Sequence, residues 1–172
     1  VRAMARMQRQ DAHLVVAGND MTGELPRLER LRAELGLTDR VHFTGLLLGR
    51  RRLIALAGAD VLVYPSTDEI FGLVPFEGLL CGTPVVVGDD CGCGELVTRA
   101  SAGLLARHGD AAALAERIDT LLGDPAVGQA MVRRGRDFIR EHFAWPRVSA
   151  ATADAYEAAA ELRRVGTAGA HG

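Results

Sequence analysis

Glu69 and Glu77 stand at the two ends of the string Glu69-Ile-Phe-Gly-Leu-Val-Pro-Phe-Glu77, with seven residues between them. The sequence predicts a helix that starts near Phe71-Gly72 and closes at Gly82, with Pro84 just beyond. The N–H groups of Phe71, Gly72 and Leu73 then project from the helix start, where free donors and the helix dipole favour an anion. Glycine at position 72 lets a phosphate approach the backbone with no Cβ in the way. Glu77 lies about 7 Å into the helix at a rise of ~1.5 Å per residue. A carboxylate there can accept from two neighbouring hydroxyls, the geometry of a ribose diol. Glu69 sits on the other side of the anion site and can hold hydroxyls of a group attached beyond the phosphates. The pair therefore suits a molecule with sugar, diphosphate and ribose in a row. A plainer reading stays open on these residues alone, with Glu69 a partner of the helix dipole and Glu77 a solvated helix residue. Against it, Phe76, Leu79 and Leu80 flank Glu77, and Asp68 beside Glu69 is self-repelling without a compensating group.

The elements that must position these groups alternate in type. Strand-like runs are His13-Ala17, Val41-Thr44, Asp60-Tyr64, Pro84-Val87 and a weaker Gly103-Leu105. Helix-period stretches lie between them, at Glu24-Leu35, Arg50-Ala57, Gly72-Cys81 and, briefly, Glu95-Arg99. Short strands each followed by a helix indicate parallel βαβ units. Strands apolar on both faces suit a sheet covered on each side. Right-handed crossovers then give an open, doubly wound, mostly parallel Rossmann-like sheet. Three helices should follow it: Asp110 caps one running to Leu122, Asp124-Pro125 starts one running to about His142, and the last runs from Trp145-Pro146 to about Arg164. Ligands of such sheets sit beyond the carboxyl ends of the strands. That directs attention to the loops Gly18-Gly23, Gly45-Gly49, Pro65-Gly72 and Gly88-Gly94.

Composition narrows the classes further. The chain has 172 residues, 48% hydrophobic and 24% charged, which suits a folded domain with a core. A net charge of −2 offers no broad basic surface, so nucleic acid is not expected as a partner. All 20 basic residues are arginine, which excludes Schiff-base or phosphate-binding lysine chemistry. Three cysteines, Cys81, Cys91 and Cys93, make no disulfide framework and point to a reducing, cytoplasmic setting. Cys91-Gly-Cys93 lacks the second Cys/His pair of a zinc site, so no metal is expected and small buried residues are the preferred reading. No apolar run is long enough to span a membrane, and residues 1 to 10 do not read as a signal peptide. Val1 to Arg9 reads as the tail of a helix, which predicts a chain truncated at its N-terminus.

The glutamate-to-glutamate string resembles the E-x7-E motif of retaining GT-B glycosyltransferases. The wider pattern resembles glycosyltransferase group 1, also called family 4. It is carried by Val41-His-Phe-Thr-Gly45, Ala59-Asp60-Val-Leu-Val-Tyr-Pro65-Ser66, Glu77-Gly-Leu-Leu-Cys-Gly-Thr-Pro-Val-Val, Gly92-Cys-Gly-Glu95-Leu-Val and Phe143-Ala-Trp145. The match runs from about residue 13 to about 156. The resemblance implies the C-terminal half of a GT-B fold, the half that binds a nucleoside diphosphate sugar as donor substrate, with no further cofactor and usually no metal. It implies that Glu77 binds ribose hydroxyls and that Glu69 contacts the donor sugar. It also implies that the amides around Phe71, Gly72 and Leu73 meet the diphosphate or sugar, that Gly45 and Leu46 lie against the base, and that Gly18 and Asn19 line the same cleft.

The family usually carries Gly-Gly-x-Pro-Glu where this chain has Cys91-Gly92-Cys93-Gly94-Glu95. It also places a basic Arg–Lys pair upstream of the first strand seen here, and an acceptor-binding N-terminal domain before that. Arg50-Arg51-Arg52 reads as a solvated helix start rather than a substitute for that pair. The expected organisation is a nucleotide-sugar-binding domain over 1–165 and a flexible tail over 166–172. An unfilled sheet position predicts self-association, and the whole protein is allowed a peripheral membrane contact. Two other classes compete: a stand-alone nucleotide- or nucleotide-sugar-binding module without transfer activity, and an epimerase or phosphorylase of the same fold.

Overall fold

The structure, a computed structural model, describes residues 1–67 and 69–168. Five strands alternate with helices in the order the sequence predicts: β1 Leu14–Ala17, α1 Leu25–Glu34, β2 Val41–Gly45, α2 Gly49–Gly58, β3 Leu62–Tyr64, α3 Leu73–Cys81, β4 Val85–Gly88, α4 Gly92–Arg99 and β5 Gly103–Ala106. Three helices complete the chain: α5 Ala111–Gly123, α6 Pro125–His142 and α7 Trp145–Ala168. Helix α7 thus includes residues 166–168 of the expected tail, and 169–172 lie outside the described residues. The chain divides into two compact units, Val1–Gly135 and Arg136–Gly172.

In the first unit every strand pairing is parallel, as the βαβ pattern requires. The ladders form two sheets, β1-β2 and β3-β4-β5, where the sequence suggested one. Residues 1–13 hold turns and a bend and no helix or strand, where the sequence suggested the tail of a helix. Met4 N–H donates to Val1 at 3.1 Å and Met7 N–H to Ala3 at 3.1 Å, and no described strand joins β1 to β3. One core still unites the two sheets. Met4 and Met7 pack with Val41 of β2, Val86 of β4, Ala106 of β5 and Ile118 and Leu121 of α5.

Burial is uneven across the strands. Val85, Val86 and Val87 of β4 are buried, as a central strand covered on both faces must be. Strand β1 alternates instead, and Val15 is 54% exposed. The face of β1 that carries Val15 is therefore open, contrary to the expectation of cover on both sides, and no residue of helix α1 is buried either.

Local signals set several boundaries. The Asp110 carboxylate accepts from Ala112 N–H at 3.0 Å and Ala113 N–H at 2.9 Å, capping α5. Asp124 does the same for Ala126 and Val127 ahead of α6, with Pro125 at the first helical position. Asp110→Ala is expected to cost about 1 kcal/mol. Thermal unfolding should read this as a fall in Tm of about 2–4 °C, with Asp110→Asn close to the parent.

In the second unit Phe138 packs against His142, with ring centroids 4.4 Å apart, and meets Phe143 edge-on at 5.8 Å. Trp145 at the head of α7 is 81% exposed.

Candidate functional site

The residues picked out by sequence fall at the carboxyl ends of β1, β2 and β3 and at the start of α3. Strand β3 ends at Tyr64, and the chain then runs through Glu69 to Gly72, the residue that caps α3. Gly72 has φ +66°, a conformation that side chains rarely adopt. A Cβ there would meet Tyr64 at 3.1 Å and Cys93 Sγ and Glu69 Cγ at 3.2 Å. Position 72 therefore needs glycine twice over.

The helix begins at Leu73 and not at Phe71 or Gly72, so the amides at its open end are those of Leu73 and Val74. Pro75 in the same turn has no N–H to satisfy. Phe71 precedes the cap, and its ring tilts against Phe76 with centroids 5.5 Å apart. Helix α3 closes at Gly82 as predicted. Gly82 N–H donates to Leu79 at 3.1 Å and Thr83 N–H to Gly78 at 2.9 Å.

Glu69 is held from below. Tyr64 Oη donates to Glu69 Oε2 at 3.0 Å, which fixes the carboxylate over the end of β3. The Tyr64 phenol lies above its ordinary pKa, first through desolvation and then through this bond to a carboxylate. Glu69 also forms an isolated parallel bridge with Cys91, and Gly92 N–H donates to the Glu69 carbonyl at 2.8 Å. The loop after β4 thus braces the loop after β3.

Glu77 is half-buried on α3, with its side chain 28% exposed. Arg52 Nη2 of α2 meets its Oε1 at 3.0 Å. Its Oε2 is buried and has no hydrogen-bond donor. A buried carboxylate oxygen without a donor costs roughly 1–3 kcal/mol or more. This is one of two such side-chain atoms among the described residues, the other being Arg32 Nε. The solvated-helix reading of Glu77 gives way here; Arg50, Arg51 and Arg52 stand exposed at the start of α2 as the sequence suggested, and Arg52, its side chain 49% exposed, also offers a charge-assisted partner to Glu77.

Gly18 and Gly45 are brought together, Gly18 N–H donating to the Gly45 carbonyl at 3.0 Å. Ala17 pairs with Gly45 in the β1-β2 ladder after a register shift. Asn19 and Leu46 follow these positions and are exposed.

Sequence reasoning missed Tyr64 and the pairing of Arg52 with Glu77. The signal for Tyr64 was its place at the carboxyl end of a strand that runs straight into the Glu69 loop. Nothing in the run Arg50-Arg51-Arg52 marks which guanidinium faces α3. Among the described residues no group of three or more His, Cys, Asp or Glu is placed to hold a metal. No described helix is long and apolar enough to cross a membrane.

Fold and site together define a Rossmann-like α/β domain of the kind found as the C-terminal domain of GT-B glycosyltransferases. The sequence pattern of the family described as Glycosyl transferases group 1 matches residues 1–138, and the chain belongs to that family. It is 37% identical over 139 residues to a 2-deoxystreptamine glucosyltransferase of Streptomyces kanamyceticus, covering 77% of this chain and 36% of that one. Among solved structures it superposes on a sucrose-phosphate synthase of Thermosynechococcus elongatus with a TM-score of 0.80 and 32% identity, over 93% of this chain and 41% of that one. It superposes on Anabaena HepE in complex with UDP with a TM-score of 0.81 and 26% identity, over 91% and 43%. HepE has also been solved with UDP-glucose. The chain therefore spans about two fifths of each of these proteins or less.

Proposed function

We propose that this chain is the donor-binding half of a retaining glycosyltransferase, of the E-x7-E type grouped as family 4. It takes a nucleoside diphosphate sugar and presents the sugar to an acceptor held elsewhere in the protein. One observation carries the reading: Glu77 has one oxygen fixed by Arg52 and a second, buried oxygen with no donor. A ribose hydroxyl supplies that donor.

The other groups take roles from their positions. Gly72 and the open amides of Leu73 and Val74 face the diphosphate, which the helix start stabilises as negative charge grows on the leaving group. Phe71, beside the cap, borders that region. Glu69, fixed through one oxygen by Tyr64, offers its other oxygen to hydroxyls of the donor sugar. Gly45 and Leu46 lie against the base, and Gly18 and Asn19 close the same side. No metal is assigned to this chemistry. The UDP and UDP-glucose complexes of HepE support a uridine nucleotide as the first to test. Transfer needs water excluded and an acceptor positioned. The chain alone is thus expected to bind donor without moving its sugar, in a cytoplasmic setting.

The test is ligand-observed NMR titration with UDP and UDP-glucose on the parent and on Glu69→Gln. The variant should bind UDP within about twofold of the parent and UDP-glucose at least about tenfold more weakly, the loss of about one hydrogen bond to a charged group. Equal affinities for UDP and UDP-glucose in both proteins would remove Glu69 from the sugar site.

A further inference from the structure

Cys91 and Cys93 are not part of the donor chemistry described above, yet they touch it at two points. Their Sγ atoms lie 3.0 Å apart across a single glycine. Cys91, extended at the cap of α4, is partly exposed, and its thiol also lies 3.1 Å from the Gly88 carbonyl. Cys93, in the first turn of α4, is buried.

The turn that carries the pair is seated on the Glu69 loop. Cys91 bridges Glu69, and Gly92 N–H donates to the Glu69 carbonyl at 2.8 Å. A Cβ on Gly92 would overlap the Ile70 carbonyl oxygen, so the two backbones are in direct contact. Cys93 Sγ underlies Gly72, 3.2 Å from where a Cβ would be. A shift of the Cys93 sulfur, or of the backbone turn that carries the pair, therefore bears on the segment from Glu69 to Gly72.

We infer that Cys91 and Cys93 form an oxidisable dithiol, which a two-electron oxidant such as hydrogen peroxide closes to an intramolecular disulfide, loosening the segment Glu69–Gly72. Cys91 is the partly exposed thiol and meets the oxidant first, while Cys93 is buried, and burial and the contact with Cys91 push its thiol up to about 12. The Cys91 sulfur attacks one peroxide oxygen; an S–O bond forms, the O–O bond breaks, and water leaves. The Cys93 sulfur then attacks the Cys91 sulfur; the S–S bond forms, the S–O bond breaks, and the hydroxyl departs as water with the Cys93 proton. Two thiols are oxidised and one peroxide is reduced to two waters. The sulfurs must close by about 1 Å to reach disulfide bonding distance. That shift acts on the backbone contacts with Glu69, Ile70 and Gly72. The effect on donor binding rests on the donor-site reading above; the disulfide itself does not.

The experiment treats the whole chain with hydrogen peroxide, then unfolds it and counts alkylatable thiols by mass spectrometry. Amide hydrogen exchange and UDP-glucose affinity are read on the same samples. The reduced chain should take three alkyl groups, and the oxidised chain one, at Cys81, with a loss of about 2 Da elsewhere. Exchange should speed up at Gly92 and across 69–73, and UDP-glucose should bind at least about threefold more weakly, reversed by a thiol reductant. Cys91→Ser and, independently, Cys93→Ser should abolish the response, while Cys81→Ser should keep it. Three alkylatable thiols after oxidation, a bond to Cys81, or a Cys91–Cys93 disulfide with unchanged exchange at 69–73 would each overturn the inference. A reduced chain that binds no UDP-glucose would instead overturn the donor-site reading, and the alkylation and exchange results would still decide the dithiol.

Discussion

Replacing Glu77 by glutamine weakens UDP binding at least about tenfold, on the following account. Arg52 holds one carboxylate oxygen at 3.0 Å and leaves the other buried and without a donor. Glutamine keeps the volume but must choose an orientation. With its oxygen toward Arg52, the amide nitrogen faces the ribose and offers a donor where a hydroxyl needs an acceptor. With its nitrogen toward Arg52, two donors confront each other and the charge pairing is gone. Hydrogen bonds to a charged group contribute roughly 1.5–3 kcal/mol, and ~1.4 kcal/mol is a factor of ten. The partial exposure of Glu77 places the expected effect toward the lower end of that range. The 2′-deoxy nucleotide should respond less, having already lost one hydroxyl. Calorimetric or NMR titration with UDP, GDP and ADP reads the result directly. Parent-like affinity of the variant for all three would mean that Glu77 does not bind ribose.

Gly92→Ala should combine the largest stability loss with a loss of donor binding. The new Cβ would overlap the Ile70 carbonyl oxygen, sit 2.8 Å from its carbon and lie 3.5 Å from the Glu69 oxygen. These are backbone atoms, so no side-chain rotation relieves the clash. The loop must separate from Glu69 and give up the 2.8 Å bond from Gly92 N–H. Overpacking of this kind costs about 1–3 kcal/mol and occasionally more, and the backbone contact places this case near 3 kcal/mol. At about 2–4 °C per kcal/mol, Tm should fall by roughly 6–12 °C. UDP-glucose affinity should fall at least about tenfold, since a displacement of about 1 Å in a positioning group can cost more than that. Gly123→Ala is the control: nothing lies within 4 Å of its added methyl, and its stability should stay within about 0.5 kcal/mol of the parent. A Gly92→Ala protein as stable as that control would show that the two loops are not braced against each other.

Much of the scaffold was legible because it is written in local chemistry. The run Asp60-Val-Leu-Val-Tyr64 is apolar and β-branched, and β3 forms within it. Asp110 and Asp124 cap helices because their carboxylates reach amides two and three residues ahead. Gly82 ends α3 where the sequence placed it. Helix α4 was read too short: it begins at Gly92, not Glu95, because extended Cys91 can cap it once Gly92 is packed on the Glu69 loop. The packing partner is more than 20 residues away in the chain, and no local pattern reports it.

The sequence by itself determined the order and type of the elements, the parallel pairing, and the two glutamates at either end of a helix start. These follow from periodicity, caps and turn residues, which act over a few residues. Only the tertiary structure decided which charge meets Glu77, which hydroxyl holds Glu69, where the sheet divides, and that two thiols lie 3.0 Å apart beside the segment Glu69–Gly72. The Arg52–Glu77 pair and the division of the sheet join segments far apart in sequence, while the Tyr64–Glu69 and Cys91–Cys93 contacts span five and two residues and depend on how the loops after β3 and β4 are folded against each other. The packing of α2 on α3, and of the loop after β4 on the loop after β3, sets those distances.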